Sequence, residues 1–382
     1  MGKAGSGTGK RAKAAGRDSG EAPAKRGKVS KVIAVEEEDA GVEESVEERE
    51  AAAKMQRVTD AFARRLASNQ GDVRAKTQVA LRAWLESREG DDDFGFTDAM
   101  RLWKGLFYAM WHSDKMKPQQ ELAGLLATLG CDMEDGPGWT YTKAGILTMC
   151  REWMGIDHLR MEKFFSLARY TVRGWIGAMC SRGCGEPMVA QWRSLLLVCA
   201  AIEECEDGRG STLIPTDFTT CSGFILHLAD VYFEELVLAL DEFPEEEEEG
   251  EKAKKGRGGG KQGKKSTVRG GRFSRLIEPW VVIMGGSSDK RLVERTKAEI
   301  FDSLYAKACR AAEGSDGEEE DGEEGEDDDE EVVVDPLELR RRCEECLELL
   351  VDKAGDEDTL NRAQCAAAAQ ALRSVLSRDW GR

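Results

Sequence analysis

An all-α fold is predicted by two features of this 382-residue chain. Apolar residues recur at three- and four-residue spacing in one segment after another, and no stretch reads convincingly as a strand. A third feature arranges the helices. Their connections are mostly short and are punctuated by Gly71, Gly136, Pro137, Gly138, Gly183, Gly185 and Pro215, which favours antiparallel neighbours stacked as hairpins. The architecture that follows is an irregular HEAT-like helical-hairpin solenoid with disordered charged tails and one disordered charged loop.

Residues 1–31 carry Lys3, Lys10, Arg11, Lys13, Arg17, Lys25, Arg26, Lys28 and Lys31 against Asp18 and Glu21, with no aromatic residue. Such a segment cannot bury enough apolar surface to fold. Lacking an apolar core, it is no secretory signal, and it reads as a nuclear or nucleolar address or a loose phosphate-binding tail. An acidic run, Glu36 to Glu50, follows and completes a disordered arm over 1–46.

Helices are predicted at 47–68, 72–88, 97–113, 117–130, 143–154, 157–182, 186–205 and 217–240. In the third, Thr97 is the expected N-cap, and Met100, Trp103, Leu106, Phe107 and Met110 keep helical spacing. A helix apolar nearly all round belongs in the middle of a domain. Gly105 interrupts it at a cost of about 1 kcal/mol relative to alanine, which predicts a neighbouring helix in close approach. In the helix after Asp157, Met161, Phe164, Phe165, Ala168, Val172, Trp175 and Met179 form one face. Glu162, Lys163, Ser166, Arg169, Tyr170 and Arg173 form the other. Asp157 is the expected cap of this helix, and Gly183 its left-handed terminator.

From Pro244 to Gly271 the pattern gives way to a glycine- and charge-rich loop, and helix-compatible sequence resumes at Arg272. An acidic linker over 311–334 precedes two amphipathic segments, Asp335 to Val351 and Glu357 to Leu376, which make a C-terminal hairpin over 335–382. The helical domain then spans 47–310. Docking of the hairpin on the last repeat and docking on a partner are both compatible with its apolar stripe.

Composition narrows the function. The longest strongly apolar run, Leu195 to Ile202, is far short of the roughly 20 residues that span a bilayer, so a soluble intracellular protein with no membrane contact is expected. The eleven cysteines are expected as reduced thiols. Cys343 and Cys346 form the one CxxC, without the second pair that a zinc site needs. Gly5, Gly7, Gly9 and Lys10 do not have phosphate-loop spacing, and Arg11 stands where Ser or Thr would hold magnesium. His227, Asp230 and Glu234 share a helix stripe, but no second ligand helix completes a metal site, and His227 is expected to be hydrogen-bonded to Asp230 or to the adjacent helix. No cofactor and no enzymatic activity are expected.

The strongest functional signal outside the helices is the loop. Lys252, Lys254, Lys255, Arg257, Lys261, Lys264, Lys265, Arg269 and Arg272 are candidate RNA contacts, and Arg269-Gly-Gly-Arg272-Phe273 is a minimal arginine-glycine-glycine element. Such a segment neutralises phosphates and stacks guanidinium groups on exposed bases. By contrast, residues 55–242 hold 20 Lys plus Arg against 27 Asp plus Glu, which is no broad basic groove and suits a protein-binding surface better.

Four stretches in order carry a family resemblance: LWKGLFYAMWHSDK (Leu102 to Lys115), EWMGIDHLRMEKFFSLAR (Glu152 to Arg169), GFILHLADVYFEEL (Gly223 to Leu236) and LIEPWVVIMGGSSDKRLVERTKAEIFDSLY (Leu276 to Tyr305). Over roughly Met55 to Lys307 the chain resembles the ribosomal RNA processing protein 1 family, nucleolar proteins of large-subunit assembly. The solenoid assignment rests on helix succession and on this resemblance, since no clean internal repeat is present. The resemblance implies a non-enzymatic scaffold of the nucleus and nucleolus, acting in ribosomal RNA processing on the large-subunit precursor particle. Its implied partners are ribosome assembly factors and, through flexible basic segments, precursor ribosomal RNA. Among the positions it matches are Trp103, Gly105, Trp111, Asp114, Trp153, Gly155, Asp157, His227 and Asp230, with Lys104, Lys115, Arg160 and Lys163 as candidate partner contacts. The rival reading is an acidic chaperone of histones or ribosomal proteins, built on the tracts at Glu36 to Glu50 and Glu313 to Glu331. Ser45 and Ser315, each three residues before an acidic residue, are candidate phosphosites.

Overall fold

The computed structural model describes residues 46–88, 94–131, 133, 136–203, 218–244, 271–313, 334–378 and 380. All belong to one compact unit, Glu44–Arg382. Thirteen α-helices and no strand are present among them: α1 (Val46–Leu66), α2 (Gly71–Glu86), α3 (Phe96–Trp111), α4 (Met116–Thr128), α5 (Pro137–Glu152), α6 (Met161–Ser181), α7 (Glu186–Cys199), α8 (Phe218–Glu242), α9 (Arg272–Gly286), α10 (Lys290–Thr296), α11 (Ser303–Glu313), α12 (Pro336–Gly355) and α13 (Arg362–Leu376). A 3-10 turn at Trp153–Gly155 precedes α6, and a π-helical turn at Lys297–Asp302 joins α10 to α11. None of the described helices is long and apolar enough to cross a membrane.

Several helices of the first half pack on the one two places further along: α1 on α3, α3 on α5, α4 on α6, and α6 on α8, with α7 on α9 beyond, while α2 packs on α1. This is the layered stacking of an α-solenoid, in which every hairpin buries its apolar stripe against the next. Gly105 lies where α1 meets α3, and a Cβ there would stand 2.3 Å from Thr59 Cγ2. The close approach expected at this glycine is therefore real. Phe107 of α3 stacks on Phe164 of α6 at 4.6 Å, and Trp103 lies 5.0 Å from Tyr141 of α5. Further along, Tyr232 of α8 donates to Leu276 O of α9 at 2.7 Å and accepts from Trp192 Nε1 of α7 at 3.2 Å. Three helices thus share one buried hydroxyl.

Several helix ends differ from the sequence expectation. α3 starts from Gly95, with Thr97 inside its first turn rather than at the cap. α5 starts at Pro137, six residues before its predicted start, because proline fits the first turn of a helix, where no N–H is needed. Asp157 does not cap α6, whose N-cap is Arg160; its carboxylate instead accepts the Leu159 N–H at 3.1 Å. α7 is shorter than the expected 186–205, ending at Cys199 with Ala201 at φ +55°. Gly183 takes the left-handed conformation expected of it, at φ +75°.

The C-terminal hairpin docks on the chain's own last helices. α12 packs on α9 and α11, and α13 on α12, α9 and α11. Both ends of α9 are satisfied from this hairpin. Glu345 of α12 accepts the Ser274 N–H at 3.1 Å, and Asn361, just before α13, donates Nδ2 to Met284 O at 3.1 Å and to Ser287 O at 2.7 Å. Cys343, Cys346 and Cys365 are buried in this interface as free thiols. Burial pushes Cys343 up to about 12 and Cys346 well above its ordinary value, so both stay protonated and pack as small apolar groups.

Candidate partner-binding surface

Two of the four family-like stretches meet at one corner. The segment that leaves α3, Trp111–Lys115, lies against Arg160 and the first turn of α6, at the end of the loop that runs from the 3-10 turn. The tie between them is Lys163, in the first turn of α6. Its ammonium donates to Trp111 O at 2.7 Å and to Ser113 O at 2.8 Å. Those carbonyls stand at the end of α3, where the backbone has no further helical donor, and a cation there also suits the negative end of the helix dipole. Ser113 O takes a second donor, Gln119 Nε2 of α4, at 2.7 Å.

Lys163 is therefore not the surface contact that the family-like stretch implied. It is 6% exposed, and burial lowers its pKa against the opposing pull of the Asp114 carboxylate. The helical wheel assigned it to the polar face correctly, but that face is covered by the end of α3.

Arg160 lies over the Trp111 ring at 4.9 Å and is paired with Asp157. Trp111 in turn packs on Phe107 and Phe164. The loop is thus held from beneath by aromatic rings and from one end by Lys163. On its outer side Met154 is 67% exposed and Leu159 79%, beside exposed Gly155 and His158. Two large apolar side chains held out on a braced loop are what a protein partner can cover. Lys115 is exposed at the start of α4. Lys104 is exposed on α3, seven residues before Trp111 and so about 10 Å along the helix axis.

The third family-like stretch is used structurally. His227 of α8 packs between Trp153 and Phe165, and its Nε2 lies 3.1 Å from Phe165 O on the adjacent helix. Burial lowers its pKa. Asp230 pairs instead with Arg295 of α10 at 3.3 Å, and burial raises its pKa. Glu234 pairs with Arg169. The stripe is thus divided among three separate contacts, and no group of three or more His, Cys, Asp or Glu suited to a metal exists among the described residues. Sequence reasoning missed Glu235, which is fully buried and accepts from Arg169 and, through both oxygens, from Arg173 at 2.6 and 3.0 Å. The available signal was the one-turn spacing of Arg169 and Arg173 on α6.

Of the candidate RNA contacts, Lys252, Lys254, Lys255, Arg257, Lys261, Lys264, Lys265 and Arg269 lie outside the described residues, as do Ser45, Ser315 and most of both acidic tracts, of which Glu47 to Glu50 fall in α1 and Glu313 ends α11. Arg272 opens α9 and donates to Phe243 O at 2.9 Å, which joins the two ends of the basic segment at its base.

The family model described as "Nucleolar protein, Nop52" matches residues 57–362, from within α1 to the first residue of α13. The chain belongs to this family of nucleolar proteins. Its place is accordingly the nucleus, at the nucleolus. The match runs through α12, beyond the Lys307 limit of the resemblance read from sequence. The chain is 33% identical over 178 residues to ribosomal RNA processing protein 1 homolog A of Mus musculus, covering 46% of this chain and 33% of that protein. It is 34% identical over 179 residues to the Drosophila melanogaster homolog, covering 46% and 24%. With homolog B of Homo sapiens it shares 25% identity over 246 residues, covering 64% and 28%. The aligned region thus spans a third or less of these relatives' own length.

Proposed function

We infer that this member of the Nop52 family is a non-enzymatic scaffold in ribosomal RNA processing and in assembly of the large ribosomal subunit precursor. In this reading the helical stack holds assembly-factor proteins, and the basic segment 252–269 meets precursor RNA. The observation that carries it is the braced corner between α3 and α6, where Met154 and Leu159 stand out on a loop fixed by Lys163 and by the Arg160–Trp111 contact. Membership of a nucleolar family and the names of the relatives supply the process.

The test is sedimentation of tagged chains from nuclear extract. The parent is expected to co-migrate with large-subunit precursors, and Met154→Glu/Leu159→Glu to shift to the top of the gradient while melting like the parent. Unchanged co-migration of that variant would move the contact elsewhere on the surface. A parent that captures histones instead of precursor RNA and assembly factors would establish the acidic-chaperone reading. Replacing the cations of 252–269 by glutamine should lower RNA affinity and flatten its salt dependence without touching particle entry through the corner.

A further inference from the structure

A groove of about 520 Å³ separates the start of α2 from the start of α4. Arg74 and Ala75 of α2 line one side, and Lys115, Lys117, Pro118 and Glu121 the other. Among the described residues none of the three cations has a carboxylate at ion-pair distance. Arg74 donates Nη1 to Ser68 O at 3.0 Å, and its solvent-shielded Nε has no acceptor. Both helices begin here, and neither N-cap residue, Gln70 or Lys115, closes its helix with a side-chain hydrogen bond. The positive ends of two helices therefore add to the three cations. Beside the lining residues, Val79, one turn beyond Ala75, is 70% exposed, and Met116, between the two lysines, is 73% exposed.

We propose that this groove is a docking site for a short acidic segment of a partner protein, one that sets carboxylates among Arg74, Lys115 and Lys117 and an aliphatic side chain against Val79 and Met116. The inference rests on the scaffold reading and names the partner's chemistry at a second surface. Charge complementarity selects the acidic residues, because three cations line the groove against the one carboxylate of Glu121, which among the described residues is in ion-pair contact with none of them. Exposed Val79 and Met116 beside the lining residues, together with the volume, select a peptide over RNA. Among the described residues no aromatic ring lines the groove to stack a base, and its size suits a few side chains.

The test is selection of short random peptides displayed on phage against the full chain, with Lys115→Glu/Lys117→Glu as counter-selection and Lys104→Glu as a charge-matched control. Enriched peptides are expected to combine Asp or Glu with Leu, Ile or Val. They should bind the double variant about tenfold or more weakly, the effect of reversing two exposed charges, and bind Lys104→Glu like the parent. Both variants should melt with the parent. Enrichment of neutral or basic peptides, no enrichment, or equal binding to the double variant would overturn the proposal. So would oligouridylate binding that is lost in the double variant while no acidic peptide is selected, which would make the groove a nucleic-acid contact. If the double variant still co-sediments with precursor particles, the scaffold reading stands whatever the peptides show; if the parent itself does not, that reading fails separately.

Discussion

Lys163→Met separates a structural lysine from a partner contact, because it keeps the length of the side chain and removes only the charge and its donors. Two hydrogen bonds from an ammonium to main-chain carbonyls are lost. Each is worth about 1.5–3 kcal/mol when one partner is charged. Ser113 O retains Gln119 Nε2, so the larger penalty falls on Trp111 O. Losing the cation at the end of α3 adds about 0.3–1 kcal/mol, and relief from burying an ammonium returns part of the total. The expected net loss is about 2–3 kcal/mol. Urea unfolding followed by circular dichroism reads it as a lower midpoint at unchanged slope. Lys104→Met, at an exposed position on α3, should stay within about 0.5 kcal/mol of the parent. Equal midpoints for Lys163→Met and the parent would refute the brace. Loss of particle entry at unchanged stability would restore Lys163 as a surface contact.

Three further outcomes are expected. Glu235→Ala leaves Arg169 and Arg173 without their buried acceptor and should lower stability by about 3 kcal/mol, whereas either arginine→Ala, being partly exposed, should cost less than about half of that; equal costs in chemical denaturation would show the pair to be independent. His227 has a lowered pKa in the fold, so as pH falls through about 6.5 the unfolded chain takes up a proton that the folded chain refuses. Stability from this group is present above that pH and lost below it; Asp230, with its raised pKa, acts in the opposite sense but in the lower carboxylate range. His227→Gln should therefore flatten the decline in urea midpoint between neutral pH and about pH 5.5, and an unaltered decline would assign it to other groups. Gly105→Ala should destabilise by about 1–3 kcal/mol despite better helix propensity, because its Cβ would meet the β-branched Thr59 side chain; a higher melting temperature would mean that α1 shifts freely.

The helices were legible because burial on one side imposes a period that survives in the sequence without knowledge of the neighbour. That is why α3, α6 and α8 fall close to their predicted spans, and why Trp103 and Trp175, at 2% and 3% exposure, lie in the core where their spacing put them. Gly105 and Gly183 were legible for local reasons, close approach and a left-handed turn. The apolar stripe of the C-terminal hairpin announced that something would cover it, but a stripe carries no address. Only the fold shows it clamped on α9 through Glu345 and Asn361. The polar positions were the least legible. Lys163 and Glu235 sit in the sequence as ordinary charged residues of amphipathic helices, and what separates them from solvated ones is the carbonyl or guanidinium that another helix brings up. A charge shows its sign in the sequence, whereas its partner and its burial belong to the packing of segments dozens of residues away. The family-like stretches, read one at a time, likewise did not show that two of them close on each other to hold out Met154 and Leu159; tertiary structure decided that, because the contact is made between loop ends whose conformation no local period encodes.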